Sequence, residues 1–223
     1  MAAYYNLEDQ VNQSSQEIVN IGKRMVESGL VIGTWGNISA FMPEEELVII
    51  TPSGMDYESL TIADLVITNL KGEVKRGERK PSSELDLHLE VYRNRKDVKA
   101  VIHTHSNYAT AAAVSRVDIP PLTEDMVQLL GGGIKVANYA PAGSEELAIN
   151  ALRALSNNNA VLLANHGVVG VGRSLHEAMT VCQMAEKGAQ LFIYSKLLGS
   201  PHAICEEDVR EMREYYLSKY GQK

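Results

Sequence analysis

The chain is predicted to be an α/β protein, with a mixed sheet carrying helices on its faces. Three observations lead there. Short runs rich in β-branched residues recur at positions 47–50, 65–68, 100–102, 134–137, 160–163 and 168–171. Segments with apolar residues at helical spacing stand among them, and the strands of the first half follow one another too closely for crossover helices. That closeness predicts an antiparallel sheet edge rather than a succession of βαβ units.

Taken in order, residues 8–27 place Val11, Ile18, Ile21 and Met25 on one helical face, and Gly29 stops the helix. Gly33-Thr34-Trp35-Gly36-Asn37-Ile38-Ser39 is a turn entering a strand. Residues 47–50 are a second strand, closed by Thr51-Pro52-Ser53-Gly54, and 65–68 a third, followed by the charged hairpin 71–77. Pro81-Ser82-Ser83-Glu84 opens a helix reaching residue 95, with a serine as N-cap and an acid in the first turn. A buried strand begins at Ala100 and runs through His103-Thr104-His105-Ser106 into a helix over 108–113. Ile119-Pro120-Pro121 is an extended break, and residues 126–130 end in the turn Gly131-Gly132-Gly133 before a strand at 134–137. A helix at 145–155 ends at Asn157-Asn158-Asn159. The strand 160–163 delivers Asn165-His166-Gly167, 168–171 returns as a strand, and helices cover 174–198 and 206–220. No repeat or linker interrupts the pattern, so residues 1–223 are expected to form one domain.

Composition narrows the function classes. With 45% hydrophobic residues and a formal net charge of −7, the chain is of ordinary globular type and ill suited to nucleic acid or an anionic membrane as main partner. The two cysteines, Cys182 and Cys205, show no metal-binding spacing and point to a reduced, cytoplasmic protein. No stretch has the length of apolar sequence needed to cross a bilayer, and no signal pattern stands at the N-terminus.

The chemistry centres on His103-Thr104-His105. Alternate residues of a strand share a face, with Cα atoms about 6.5–7 Å apart, so the two rings can converge on one metal ion. Two polar rings at the end of a buried strand need such a partner, because the core there is otherwise apolar. His166 ends another buried strand and is either a third ligand or a turn residue capping backbone groups. Glu84 is either a helix-start acid complementing the macrodipole or a carboxylate beside the metal. Three imidazoles with an open position suit catalytic Zn²⁺, and a nearby carboxylate can ligate or act as base. Gly36-Asn37, Ser53-Gly54 and Ser82-Ser83 are small polar turns whose amides and hydroxyls could equally hold a phosphate. His88, His176 and His202 carry no ligand pattern.

Gly36-Asn37-Ile38-Ser39, Thr51-Pro52-Ser53-Gly54, Pro81-Ser82-Ser83-Glu84, His103-Thr104-His105 and Asn165-His166-Gly167 occur in this order over nearly the whole chain. Together they resemble the class II aldolase/adducin family, and within it the fuculose-phosphate aldolases. The resemblance implies an α/β/α sandwich with a central mixed, largely antiparallel sheet. It also implies a C4 homotetramer with one Zn²⁺ per subunit near the interfaces, replaceable by Co²⁺ or Mn²⁺. Carried over by position, His103, His105 and His166 are metal ligands, and Glu84 lies at the metal as ligand and proton carrier. Gly36, Asn37, Ser53, Gly54, Ser82 and Ser83 match the phosphate cradle. Tyr220, in Ser218-Lys219-Tyr220-Gly221, is similar to a C-terminal tyrosine that reaches a neighbouring subunit's site.

The implied activity is reversible cleavage of a ketose 1-phosphate, L-fuculose 1-phosphate or a related deoxy-ketose 1-phosphate, to dihydroxyacetone phosphate and an aldehyde. L-ribulose-5-phosphate 4-epimerases of the same family are the alternative. Glu84 stands where those resemble Pro-Ser-Ser-Asp, and Thr51 where they carry lysine. Gly33 to Asn37 and Ser53 to Tyr57, however, look as much like epimerases. Asp125 replaces a tyrosine of the fuculose-phosphate aldolases, which points to a different aldehyde half. A non-catalytic adducin-like module would have lost the histidines. A cupin oxygenase would place its carboxylate after the histidine pair, in a nearly all-strand fold.

Overall fold

The computed structural model describes residues 7–220. Helix α1 (Leu7–Glu27) leads into strands β1 (Asn37–Met42) and β2 (Leu47–Ile50). A 3-10 turn at Ile62–Asp64 precedes β3 (Val66–Asn69) and β4 (Val74–Arg76). Then come α2 (Leu85–Asn94), β5 (Ala100–Thr104), α3 (Asn107–Val114), α4 (Glu124–Leu130) and β6 (Lys135–Ala137). The chain finishes with α5 (Glu145–Leu155), β7 (Ala160–Leu163), β8 (Gly167–Gly172), α6 (Leu175–Leu198) and α7 (Glu206–Lys219).

The eight strands of the described residues form one sheet in the order β4-β3-β2-β1-β5-β8-β7-β6. The pairings are antiparallel except β6 with β7, which is parallel. The sheet is therefore mixed and largely antiparallel, and the crowded first half supplies the antiparallel edge. Strand alternation sorts the side chains onto two faces. Ile49 and Ile102 pack with α1 and α6, while Val48, Ile50 and Val101 pack with α2 and α5. A third cluster joins α3, α4 and α6 to β7 and β8. Helices thus cover both faces, as an α/β/α sandwich requires. The stripe Val11, Ile18, Ile21 and Met25 is what docks α1. Each such buried aliphatic contributes about 1.5–3 kcal/mol, more than α1 gains from helix propensity.

Several boundaries differ from the sequence expectation. Residues 126–130 belong to α4, whose C-cap Gly131 has φ of 88°. Ile119, expected in a simple break, exchanges both backbone hydrogen bonds with Ile134, at 2.9 and 2.8 Å. Most consequential for the site, neither serine caps α2. Glu84 itself occupies the N-cap position, and its backbone N–H donates to Ser82 Oγ at 3.2 Å. Glu84 is therefore turned out of the helix, so its carboxylate is not a first-turn acid facing solvent.

Candidate metal centre

Antiparallel pairing assembles the site at one end of the central strands. Asn37 of β1 stands opposite His103 of β5, and His103 stands opposite Val169 of β8. His103 is fully buried on the α2 face, and its Nδ1 donates to the Val168 carbonyl at 3.0 Å. That bond leaves the Nε2 lone pair pointing into the site. His105 lies one residue past β5, its backbone tied to the Leu30 carbonyl, and Trp35 stacks on its ring at 5.8 Å. His166 arrives from the turn between β7 and β8. Asn165 takes φ of 56° there, a left-handed conformation that asparagine tolerates better than most residues. Gly167 follows because a Cβ would overlap the Thr104 carbonyl oxygen and stand 3.1 Å from the rings of His103 and His105. At Gly36, φ is 80° and a Cβ would come within 2.6 Å of the His103 carbonyl.

The three rings converge. His103 Nε2 is 2.8 Å from His105 Nε2 and 3.2 Å from His166 Nε2. Glu84 closes the group, with Oε2 3.3 Å from His103 Nε2 and Oε1 3.5 Å from His166 Nε2. Burial pushes the His103 pKa down to about 4 and lowers that of His105, so both rings are neutral near pH 7. Burial raises the Glu84 pKa, but the His103 and His166 rings and the Asn37 amide outweigh it and hold the carboxyl below its usual range.

This donor set fits a divalent ion on three counts. Facing lone pairs repel unless a cation or proton lies between them. Nitrogens sharing a tetrahedral Zn²⁺ would stand about 3.3 Å apart, close to the separations seen here. Glu84 Oε1 is also buried with no hydrogen-bond partner, an arrangement that costs free energy until a ligand meets it.

The remaining residues singled out in the sequence divide into two groups. Ser53 and Ser82 lie on paired turns, where Ser53 N–H donates to the Lys80 carbonyl and Ser82 N–H to that of Thr51. Ile38 N–H donates to Thr51 Oγ1, which ties Gly36 and Asn37 to the same place. The six cradle residues are thus held together by these links, Gly54 and Ser83 being chain neighbours of Ser53 and Ser82. Tyr220 and Asp125 are placed otherwise. Tyr220 is exposed and stacks on Tyr216 at 5.2 Å, at the end of a helix packed on α4 (Gly221 lies outside the described residues). Asp125 pairs with Lys187 and accepts from Met126 N–H, so its carboxylate is engaged in the first turn of α4. A cavity of about 420 Å³ bears Arg95, Arg173 and Arg213, but it lies at the opposite strand ends. Its guanidiniums are already engaged by Asp97, Glu177 and backbone carbonyls.

Sequence reasoning passed over a buried hydrogen-bonded chain behind Glu84. Asn37 Nδ2 donates to Glu84 Oε2 at 2.9 Å. Asn37 Oδ1 meets His88 Nε2 at 2.5 Å, and His88 Nδ1 meets Ser39 Oγ at 2.6 Å. Ser39 Oγ in turn meets Tyr92 OH at 2.6 Å. A signal was present: Glu84, His88 and Tyr92 recur every fourth residue, on the same face as the buried Leu85 and Leu89.

Three histidine nitrogens that could hold a metal ion, with a carboxylate beside them, are gathered at strand ends of an α/β/α sandwich. The model of the Class II Aldolase and Adducin N-terminal domain matches residues 16–193, and the chain belongs to that family. It is 40% identical to a 5-deoxy-D-ribulose 1-phosphate aldolase of Bacillus thuringiensis serovar kurstaki, over 96% of this chain and 99% of the relative. It is 30% identical to an L-fuculose phosphate aldolase of Escherichia coli K12, over 88% and 90%. A solved L-fuculose 1-phosphate aldolase superposes with a TM-score of 0.89 at 38% identity, covering 92% of this chain and 96% of that one. Likeness of this extent makes the chain an aldolase, a carbon–carbon lyase. Its sandwich fold also sets aside the cupin alternative.

Proposed function

We propose that this enzyme is a Zn²⁺-dependent aldolase joining dihydroxyacetone phosphate reversibly to an aldehyde, with a 5-deoxy-ketose 1-phosphate as the natural ketose. The observation carrying the reading is the set of three converging histidine nitrogens with the unpartnered Glu84 Oε1 beside His166. The 5-deoxyribulose-phosphate relative, matched over almost its full length, supports the sugar.

A divalent ion held by His103, His105, His166 and Glu84 supplies, when bound, Lewis acidity that draws charge from the donor carbonyl. The protein's own groups do the rest. The turns bearing Gly36, Asn37, Ser53, Gly54, Ser82 and Ser83 hold the phosphate and keep the reacting carbon in place. Asn37 Nδ2 can take part because it carries a second hydrogen beside the one given to Glu84. In synthesis Glu84 removes a proton from the hydroxymethyl carbon of dihydroxyacetone phosphate. That carbon bonds to the aldehyde carbon, and a tyrosine O–H protonates the new alkoxide. Tyr220 suits this last role from a neighbouring copy, since in its own chain it lies away from the histidines. A C4 homotetramer provides such a neighbour. Both cysteines are free, which suits a cytoplasmic enzyme.

The test is release of dihydroxyacetone phosphate from 5-deoxyribulose, fuculose and rhamnulose 1-phosphates, with ribulose 5-phosphate alongside. The 5-deoxy sugar should be cleaved with the highest kcat/KM. Interconversion of ribulose and xylulose 5-phosphates without triose release would establish the epimerase instead. Glu84→Gln should lower turnover by about 10²-fold or more while still binding a phosphorylated inhibitor.

A further inference from the structure

We propose that His88, backed by Ser39 and Tyr92, is a positioning residue that orients Asn37 and through it Glu84. The inference rests on the reading of Glu84 as the proton carrier.

The chain of contacts has only one consistent polarity. A flipped Asn37 amide would set its oxygen against the Glu84 carboxylate, so Nδ2 faces Glu84 and Oδ1 faces His88. Oδ1 can only accept, which makes His88 Nε2 the N–H of a neutral ring. His88 Nδ1 then carries the lone pair and takes the Ser39 O–H, and Ser39 Oγ takes the Tyr92 O–H. Every link donates towards Glu84 Oε2. The far oxygen, Oε1, is left free beside His166.

Burial argues that this is more than core filling. Ser39, His88 and Tyr92 are wholly buried and Asn37 nearly so, between β1 and α2. Apolar side chains would fill that space without the desolvation cost of six polar atoms. The chain is tolerable because each of its atoms is satisfied, and at its inner end the Glu84 carboxylate keeps one buried oxygen, Oε1, without a partner. Removing the His88 N–H frees the Asn37 amide to turn, and Glu84 then loses the donor that holds Oε2.

Three variants of the full-length, Zn²⁺-loaded protein separate this role from simple packing. His88→Gln keeps an N–H donor where Nε2 stands, His88→Leu removes it, and Tyr92→Phe removes the outermost hydroxyl. Two readouts are followed: deuterium uptake from solvent into dihydroxyacetone phosphate, and Zn²⁺ affinity by competition with a chromophoric chelator. His88→Leu should lose about 10–100-fold in each, the usual scale for an outer partner of a metal ligand. The KM for dihydroxyacetone phosphate should rise by about tenfold or less, because of the six phosphate-holding residues only the Asn37 amide is freed, and His88→Gln should regain most of all these losses. If His88→Gln is as impaired as His88→Leu, or if neither differs from wild type, the proposal is overturned. Should His88→Leu not fold, Tyr92→Phe decides. A loss in both readouts supports the relay, and wild-type values sink it. A wild type that exchanges no deuterium would remove the reading of Glu84 as proton carrier on dihydroxyacetone phosphate, while the Zn²⁺ comparison, which needs no substrate, still judges the relay.

Discussion

His88 should make stability fall steeply in acid, and by a calculable amount. Burial pushes its pKa down to about 3, with Glu84 opposing the shift and His103 adding to it. In the unfolded chain the same ring titrates near ~6.5. Between those values the unfolded state binds a proton that the folded state refuses, so stability rises with pH and is lost as pH falls below ~6.5. Lowering pH from 7.5 to 4.5 should remove roughly 2–3 kcal/mol through this one ring, at about 1.4 kcal/mol per unit once the unfolded ring is protonated. The ring is fully buried, so no solvent screening reduces the figure.

The assay is urea unfolding of wild type and His88→Gln, both stripped of metal, at the two pH values. Glutamine takes up no proton, whereas the carboxylates and other histidines titrate in both proteins and largely cancel. The wild type should lose roughly 2–3 kcal/mol more than the variant. Equal losses would show that His88 is not held neutral in the fold.

Two further outcomes follow from the site. Chelator-stripped protein should take up one divalent ion per chain, with His166→Ala weakening Zn²⁺ by more than the ~10–100-fold of an outer-partner change. His176→Ala and His202→Ala should leave uptake unchanged, and equilibrium dialysis with elemental analysis reads both comparisons. Gly167→Ala should destabilise the fold by about 1–3 kcal/mol or more, since its methyl group meets the Thr104 carbonyl. The same methyl crowds His103 and His105, so Zn²⁺ affinity should fall along with the urea midpoint; a neutral substitution would contradict the packing.

Much of the site was legible because its residues sit where local pattern is strongest. A buried strand ending in His103-Thr104-His105 announces itself, since period two puts both rings on one face of an apolar run. Asn165-His166-Gly167 is likewise legible, as a turn needing a left-handed residue and then no Cβ. The helices were legible where an apolar stripe ran long, as in α1. They were not where a short helix lay between prolines and glycines, as in α4. Glu84 looked like a helix-start acid because its spacing is the same whether the side chain faces water or the sheet.

The sequence by itself determined which residues alternate, which lie along a helix, and in what order the chemical groups occur, all consequences of short-range geometry. Only the tertiary structure decided that β1 and β8 flank β5 in a register opposing Asn37 to His103 and His103 to Val169. That register brings His166 and Glu84 to the same nitrogens and threads Ser39, His88 and Tyr92 behind them. The physical reason is that strand period specifies a face but not a partner. Partners are chosen by hydrogen bonds and packing between segments tens of residues apart, and the metal centre exists only after that choice is made.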